Sequence, residues 1–304
     1  MNTLNRKLLR DLWRLRGQVL AIAMVVASGV AVLVMSLATL NSLQETASTY
    51  YERYRFADIF ASVTRAPEQL AGRIATIPGV QHAETRISKL ATLDIADFKE
   101  PVIGQLVSIP ERGESVLNRL ALLAGRRVQP NHPDEVVLSE PFAEAHGLTT
   151  GSRLHAVIHG KRRTLTVVGI ALSPEHVYAI GPGALMPDNQ RFGILWMGRD
   201  ALAAAYDLDG AFNDIALSLL HGTRPEAVIQ PLDQLLARYG GIGAIARADQ
   251  LSNWFMMNEI DQLGTMARIL PTIFLIVAAF LTNMVLARII ATERSEIGLM
   301  KAFG

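Results

Sequence analysis

The sequence contains no cysteine and little charge for its length. Among its 304 residues, 19% are Asp, Glu, Lys or Arg, 6% are aromatic and none is Cys. The absence of thiols excludes disulfides, thiolate metal sites and cysteine nucleophiles. The formal net charge is +1, so no overall field favours nucleic acid, and we expect no nucleic-acid partner. Half of the residues are hydrophobic, which indicates a soluble body joined to a few membrane spans.

Signatures of nucleotide binding and hydrolysis are lacking as well. No G-x-x-x-x-G-K-[ST] loop and no G-x-S-x-G elbow occurs. Residues 241–246 formally match G-x-G-x-x-A, but they follow a predicted helix rather than a strand, which argues against a dinucleotide site. His155 and His159 are four residues apart, and two histidines without a third ligand make a poor metal site. We therefore predict a non-catalytic chain without its own cofactor or metal.

The first 17 residues are basic and amphipathic. Four leucines recur at helical spacing, and five basic residues oppose the single acid Asp11: Arg6, Lys7, Arg10, Arg14 and Arg16. This pattern predicts a cytoplasmic amphipathic helix over residues 1–17 that lies on an anionic membrane surface. An ordinary charged flank of the following segment is the alternative.

The following segment, residues 18–40, is predicted to be the first transmembrane helix. No charged residue occurs from Gly17 to Gln44, and a span needs about 20 apolar residues. The apolar core is longer than the roughly 7–15 residues of a signal peptide, so we favour an uncleaved anchor. Small residues around Gly29 would suit close packing against another helix. The preceding basic residues place the N-terminus in the cytoplasm.

A second transmembrane helix is predicted over residues 269–290. The helix should begin near Asp249 and run without a break through Pro271, which falls in the outer turn of the span. Asn283 lies within the span and either bonds to a neighbouring helix, lines a path or is a single tolerated amide. Two spans return the C-terminus to the cytoplasm and leave residues 41–268 outside it.

Those residues predict an α+β extracytoplasmic domain. Two β-α-β-like halves suggest a split, ferredoxin-like sandwich. The first half comprises a helix at 67–77 and strands at 58–63, 80–87, 91–95 and 102–109, and the second comprises 193–197, 199–206, 214–220 and 225–239. A small β-rich insertion is expected at about 111–190, with a hairpin around His159-Gly160-Lys161. The insertion ends in a loop that contains Gly181, Pro182 and Gly183.

The last residues, 291–304, carry charges directly after the second span. Apolar residues lie between these charges, and exposed apolar side chains framed by charge suggest a partner surface. Residues 292–304, Thr-Glu-Arg-Ser-Glu-Ile-Gly-Leu-Met-Lys-Ala-Phe-Gly, resemble the E-R-x-x-E-I-G-x-x-[KR]-A-[LF]-G signature of MacB/FtsX-type ABC transporter permeases. The match is in register from Glu296 to Gly304, and the Glu293-Arg294 pair lies one position closer to Glu296 than in the signature. Residues 135–140, 145–154 and 166–170 resemble the extracytoplasmic domain of that family, and residues 9–20 resemble its entry into the first span.

The resemblance implies a multi-pass permease in the bacterial cytoplasmic membrane that docks on a separate cytoplasmic ATPase, which binds ATP and Mg. It also implies a dimer with a second copy or a homologous permease. Residues 291–304 would be the coupling helix that carries movement between the ATPase and the external domain. The coupling residues would be Glu293, Arg294, Glu296 and Lys301 for polar contacts, Ile297, Gly298 and Ala302 for close packing, and Gly304 at the end of the motif.

Members of this family either export substrates, often with a periplasmic adaptor, or regulate cell-wall hydrolases. The large body with its β-rich insertion favours export by mechanotransmission, and a hydrolase regulator is the alternative. The loop at Gly181, Pro182 and Gly183 is the predicted adaptor contact, by position alone. Family permeases carry at least two further spans after the signature, so we expect this chain to be the N-terminal portion of a longer permease.

Overall fold

A computed structural model describes Trp13, residues 16–96 and residues 98–302. The chain divides into two compact units, which we call the body (residues 47–257) and the helix pair (residues 1–46 and 258–304). The predicted amphipathic helix at 1–17 lies outside the described residues apart from Trp13, Arg16 and Gly17. The elements in chain order are α1 (Arg16–Arg53), β1 (Ile59–Pro67), α2 (Leu70–Ala75), β2 (Val80–Arg86), β3 (Ser88–Asp94), β4 (Val102–Ile109), β5 (Ala121–Gly125), β6 (Glu135–Ser139), α3 (Glu140–Ala145), β7 (Arg153–Ile158), β8 (Lys161–Leu172), β9 (Phe192–Gly198), α4 (Arg199–Tyr206), β10 (Ala211–Leu219), α5 (Pro225–Leu236), β11 (Ile245–Ala246) and α6 (Leu251–Ala302).

The helix pair consists of the apolar parts of α1 and α6. Both helices are long and apolar enough to cross a membrane, over Val19–Arg53 and Leu251–Arg288. The two helices pack closely at Gly29, where a β-carbon would lie 3.5 Å from both Leu275 and Phe274. Gly29 therefore lies at the contact between the two helices, where a β-carbon would make an ordinary van der Waals contact. The side chain of Asn283 is exposed.

Pro271 does not interrupt α6, whose helical backbone runs for 52 residues. The prediction of one long helix through this proline is confirmed. The body begins at Ala47 and ends at Met257, so its bounds are narrower than the predicted 41–268. The last turns of α1 and the first turns of α6 consequently belong to the body.

One half of the body is a four-stranded antiparallel sheet with the strand order β11-β1-β10-β2. It is assembled from two strand–helix–strand segments, β1-α2-β2 and β10-α5-β11. Apolar residues of α2 and α5, such as Ile74 and Leu232, join strand residues in one buried cluster. Both helices have an apolar face because buried residues recur at helical spacing, Leu70 and Ile74 in α2 and Val228, Leu232 and Leu236 in α5.

The other half is a seven-stranded mixed sheet with the order β5-β8-β6-β9-β4-β3-β7. Its long strand β8 also pairs with β7, so six strands close into a ring. The first part of β8 bonds to β7 and the second part bonds to β6 and β5. Alternate residues of the ring strands form one buried cluster, which includes Leu93, Leu106, Leu154 and Leu195.

This sheet is larger than the predicted insertion at 111–190. Strands β3, β4 and β9 lie outside those bounds, and the strand predicted at 193–197 belongs here rather than to the second half of a sandwich. β9 pairs with β4 on one side and with β6 on the other, so it lies inside this sheet. All seven of its residues are buried there. The predicted hairpin around His159-Gly160-Lys161 is confirmed as β7 and β8.

Gly125 and Gly151 both have left-handed backbones, but their surroundings differ. A β-carbon at Gly125 would lie 2.2 Å from the carbonyl oxygen of Val168, whereas nothing lies within 4 Å of one at Gly151. Both alanine variants share the cost of the left-handed conformation, and Gly125→Ala adds overlap worth about 1–3 kcal/mol. We expect Gly125→Ala to melt at a clearly lower temperature than Gly151→Ala, measured by circular dichroism of the full chain in detergent. Equal midpoints would contradict this packing.

Candidate functional site

The predicted coupling helix coincides with the end of α6. Helical backbone extends to Ala302, so Glu293, Glu296, Ile297, Gly298 and Lys301 are all in the helix, as is Arg294, whose side chain is exposed. Gly304 lies outside the described residues. Contact between these residues and an ATPase stays a prediction.

The predicted adaptor loop forms a tight turn in the body. The amide of Ala184 donates to the carbonyl of Gly181 at 3.0 Å, and Gly183 has a left-handed backbone with φ +76°. The turn is followed by two highly exposed apolar side chains, Leu185 at 92% and Met186 at 70%. This loop therefore offers an apolar surface, and its contact with an adaptor stays a prediction.

A buried charge network, which the sequence did not reveal, lies where the two sheets of the body meet. Arg86 at the end of β2 pairs in register with Asp214 of β10, and its Nε donates to Asp214 Oδ1 at 2.8 Å. The same guanidinium makes two parallel bonds to Glu175, one of them from Nη2 to Oε1 at 2.9 Å. Glu175 lies in a single 3-10 turn, Pro174–His176, directly after β8. Arg86 thus connects the four-stranded sheet to the closed ring.

The network also reaches the end of α1 through Asn118. The Asn118 Nδ2 donates to Glu175 Oε2 at 2.6 Å, and Asn118 Oδ1 accepts from the amide of Ala57 at 2.8 Å. The amide of Asn118 donates to the carbonyl of Arg55 at 2.9 Å. Asn118 therefore holds Glu175 against the residues that follow α1.

Gln250 makes the corresponding link to the start of α6. Its Nε2 donates to the carbonyl of Glu175 at 2.9 Å, and its Oε1 accepts from the amide of Asn253 at 2.8 Å. The second bond satisfies one of the free amides in the first turn of α6, as a helix cap does. Ser252 Oγ accepts from the amide of Tyr178 at 2.9 Å and fixes the same turn. The residues that follow α1 and the first turn of α6 are thus both connected to this network by hydrogen bonds within the body.

The electrostatics show why these groups depend on one another. Burial alone would lower the pKa of Arg86, but Asp214 and Glu175 raise it above its ordinary value. Burial would raise the pKa of Glu175, yet Arg86 and His176 hold it below its usual range. At Asp214 burial outweighs the attraction of Arg86, so its pKa is raised. Because Arg86 is the shared partner of both acids, its removal would leave two buried carboxyl groups without a compensating charge.

His176 gives the network a dependence on pH. Burial lowers its pKa below 6.5, against the opposing pull of Glu175, and its Nε2 has no hydrogen-bond partner among the described residues. A histidine with a depressed folded-state pKa costs stability once the unfolded form binds protons. Stability should therefore be full above pH 6.5 and fall as the pH drops below it.

We expect His176→Phe to flatten this acid dependence, because phenylalanine keeps a ring beside Trp196 and cannot be protonated. The measurement is the thermal midpoint of the full chain between about pH 8 and pH 5. His132→Gln is the control, since His132 is exposed. A slope in His176→Phe as steep as that of the unchanged chain would show that another group is responsible.

Comparison with protein-family models and with curated proteins gives no match. Among solved structures, the chain is similar to the extracellular domain of the noncanonical ABC-type transporter YknZ from Gram-positive bacteria, with 12% identity and a TM-score of 0.40 over 62% of this chain and 98% of that one. It is also similar to the periplasmic region of MacB from Actinobacillus actinomycetemcomitans, with 10% identity and a TM-score of 0.40 over 69% and 95%.

A third similar structure is a domain from a Porphyromonas gingivalis protein that is described as a permease, with 15% identity and a TM-score of 0.36 over 63% of this chain and 90% of that one.

Proposed function

We propose that this chain is a permease subunit of an ABC transporter, in which ATP hydrolysis by a separate cytoplasmic ATPase moves the extracytoplasmic body. The observation that supports this most strongly is the extent of α6. One unbroken helix begins at Leu251 in the body, contains a membrane-length apolar stretch and ends in the permease signature. A continuous helix suits mechanical transmission because its backbone bonds resist bending and stretching.

The charge network is the body's part of this mechanism. A displacement of α6 acts on Gln250, which is bonded to Glu175, and Glu175 is held by Arg86 and Asn118. Movement at the start of α6 is therefore passed to both sheets and to the end of α1. Most apolar residues of the two sheets lie in different buried clusters, apart from Ala211 of β10, which joins the cluster of the ring. The two sheets can therefore shift as rigid bodies about the contact between them.

The orientation of the chain in the membrane follows from the basic residues before the first span. The basic residues before the first span place the N-terminus in the cytoplasm, and a second span returns the signature to the same side. The body then lies outside the bacterial cytoplasmic membrane. The strand order of its antiparallel sheet supports a split ferredoxin-like arrangement, interrupted by the closed ring.

Export by mechanotransmission is the activity that we propose for the assembly, with a second permease as dimer partner. The exposed Leu185 and Met186 beside Gly181, Pro182 and Gly183 support an adaptor contact at this loop, because an exposed apolar pair suits a protein partner. If the assembly moves no substrate, the alternative function is regulation of a cell-wall hydrolase without transport.

The test is co-purification of the full chain with its cognate ABC ATPase, in lipid nanodiscs. A stable complex whose ATPase rate differs from that of the free ATPase supports the permease role. A chain that is folded by circular dichroism yet does not retain the ATPase contradicts it. Reconstituted transport in the same complex separates export from regulation.

A further inference from the structure

A cavity of about 300 Å³ opens in the body beside the end of α1. Its lining combines aromatic, cationic and hydroxyl groups from four segments of the chain, among them Tyr51, Arg55, Phe56, His82, Ser218 and Arg247. Ligand sites of small molecules have this size and this mixture of an apolar wall with a few polar groups. We call this space the root cavity.

Arg55 is placed at the root cavity by a strained backbone. Its φ of 51° is left-handed, at a position after a helix where glycine is usual. The amide of Arg55 donates to the carbonyl of Glu52 at 3.2 Å, and its own carbonyl accepts from Asn118, so the conformation is fixed from both sides. The guanidinium is exposed and forms no ion pair within the described part of the chain. Strain at a residue with a free charge is typical of ligand sites.

Arg247 supplies a second guanidinium in a fixed position. Its Nε donates to the carbonyl of Ala57 at 2.9 Å, and Nη2 donates to Asp58 Oδ1 at 2.6 Å. The group also lies over the Phe56 ring, 5.1 Å from the centroid. These contacts leave Nη1 without a bond to any described residue. The arginine is therefore preorganised and keeps donor capacity for a ligand.

His82 and Ser218 complete the polar side of the root cavity. The Nδ1 of His82 lies 3.2 Å from Ser218 Oγ, which leaves Nε2 available. Glu52 is the acidic residue in the lining, and its carboxylate opposes an anion. Tyr51, Phe56 and Leu117 are buried residues that form the apolar wall.

We infer that the root cavity binds a phosphate ester, with Arg55 and Arg247 on the phosphoryl oxygens and the aromatic wall against the attached organic group. The cavity offers donors from different segments: two guanidiniums, an imidazole and a hydroxyl. A phosphoryl group can accept hydrogen bonds from several directions and so can reach all of them, whereas a carboxylate has only two coplanar oxygens. A lipid headgroup and a free phosphoester share this chemistry. Binding needs no ATPase, so it can be tested whether or not the chain is a permease.

The experiment is calorimetric titration of the full chain in neutral maltoside detergent with three probes: inorganic phosphate, glycerol 3-phosphate and dihexanoylphosphatidylglycerol.

Arg55→Gly removes the guanidinium and also relieves the left-handed strain, so it should melt no lower than the unchanged chain. We expect it to weaken binding about tenfold or more, the loss of a charge-assisted contact. Arg53→Gln is the matched control, because Arg53 is an exposed arginine between Glu52 and Arg55 that does not line the cavity. Glu52→Gln should tighten binding.

The affinities of the probes and the effects of the variants decide whether the root cavity binds a phosphate ester and which kind it binds. A lipid that binds about tenfold more tightly than glycerol 3-phosphate supports a membrane lipid as the ligand, whereas equal affinities support a free phosphoester. Binding that Arg55→Gly leaves unchanged, or that Arg53→Gln weakens equally, overturns the site. If succinate displaces the phosphate probes and binds as tightly as they do, the assignment of a phosphate ester is wrong.

Discussion

Replacing Arg86 with methionine is expected to lower the free energy of unfolding of this protein by about 3–5 kcal/mol, the loss that follows when one partner of a buried ion pair is removed. The side chains of Arg86, Glu175 and Asp214 are only 8%, 11% and 14% exposed, so water cannot replace the lost charge. Methionine fills similar volume, which limits the contribution of an empty cavity. Denaturant titration followed by the fluorescence of the buried Trp196 measures the change.

Two further variants show whether the loss comes from uncompensated charge. Arg162→Met removes an arginine from an exposed pair with Asp94 and should cost less than about 1 kcal/mol. The triple change Arg86→Met, Glu175→Gln and Asp214→Asn removes all three charges and should recover much of the stability that Arg86→Met loses. If Arg86→Met costs no more than Arg162→Met, the network does not hold the two sheets together.

Reversing the charge of Glu296 is expected to weaken ATPase binding about 30-fold or more, because truncating or reversing one partner of a buried charge pair costs about 2 kcal/mol at least. Glu296 is the second acidic residue of the permease signature, and the proposed coupling helix would place it in a groove of the ATPase. The measurement is the dissociation constant of the ATPase from nanodiscs that contain the full chain with Glu296→Lys.

Asp261→Lys is the control for that experiment. Asp261 is an exposed acid of the same helix on the opposite side of the apolar stretch, so its reversal changes the net charge equally and leaves the signature intact. We expect it to bind the ATPase as tightly as the unchanged chain. Equal affinities for Glu296→Lys and the unchanged chain would exclude the coupling role of Glu296.

The sequence predicted the elements that depend on local pattern. The uncharged stretch after Gly17 predicted a membrane-length helix, and α1 covers it. The run through Pro271 predicted one helix, because a proline within the first turns of a span can be accommodated, and α6 is unbroken there. Alternating apolar residues around His159-Gly160-Lys161 predicted a hairpin that the structure contains.

Features that depend on pairing between distant segments were beyond the reach of the sequence. Arg86 and Asp214 are 128 positions apart, and each alone resembles a solvated strand residue until β2 and β10 are in register. The ring was missed because one strand, β8, changes partners along its length, and no local pattern encodes that change. The prediction places β9 at the right position but in the wrong sheet, because its partners β4 and β6 are distant in the chain.

The central proposal is that ATP-driven movement at the signature rearranges the two sheets of the body through α6. The chain has no cysteine, so the double variant Arg73→Cys and Val157→Cys carries just two spin labels, one on α2 beside the four-stranded sheet and one on the closed ring. Both positions are exposed. Pulsed electron spin resonance would measure the label distance in nanodiscs with the cognate ATPase, before and after trapping with ATP and vanadate. We predict a shifted distance on trapping and no shift when Glu296→Lys is added. An unchanged distance in the trapped complex, with the ATPase bound, would contradict the proposal.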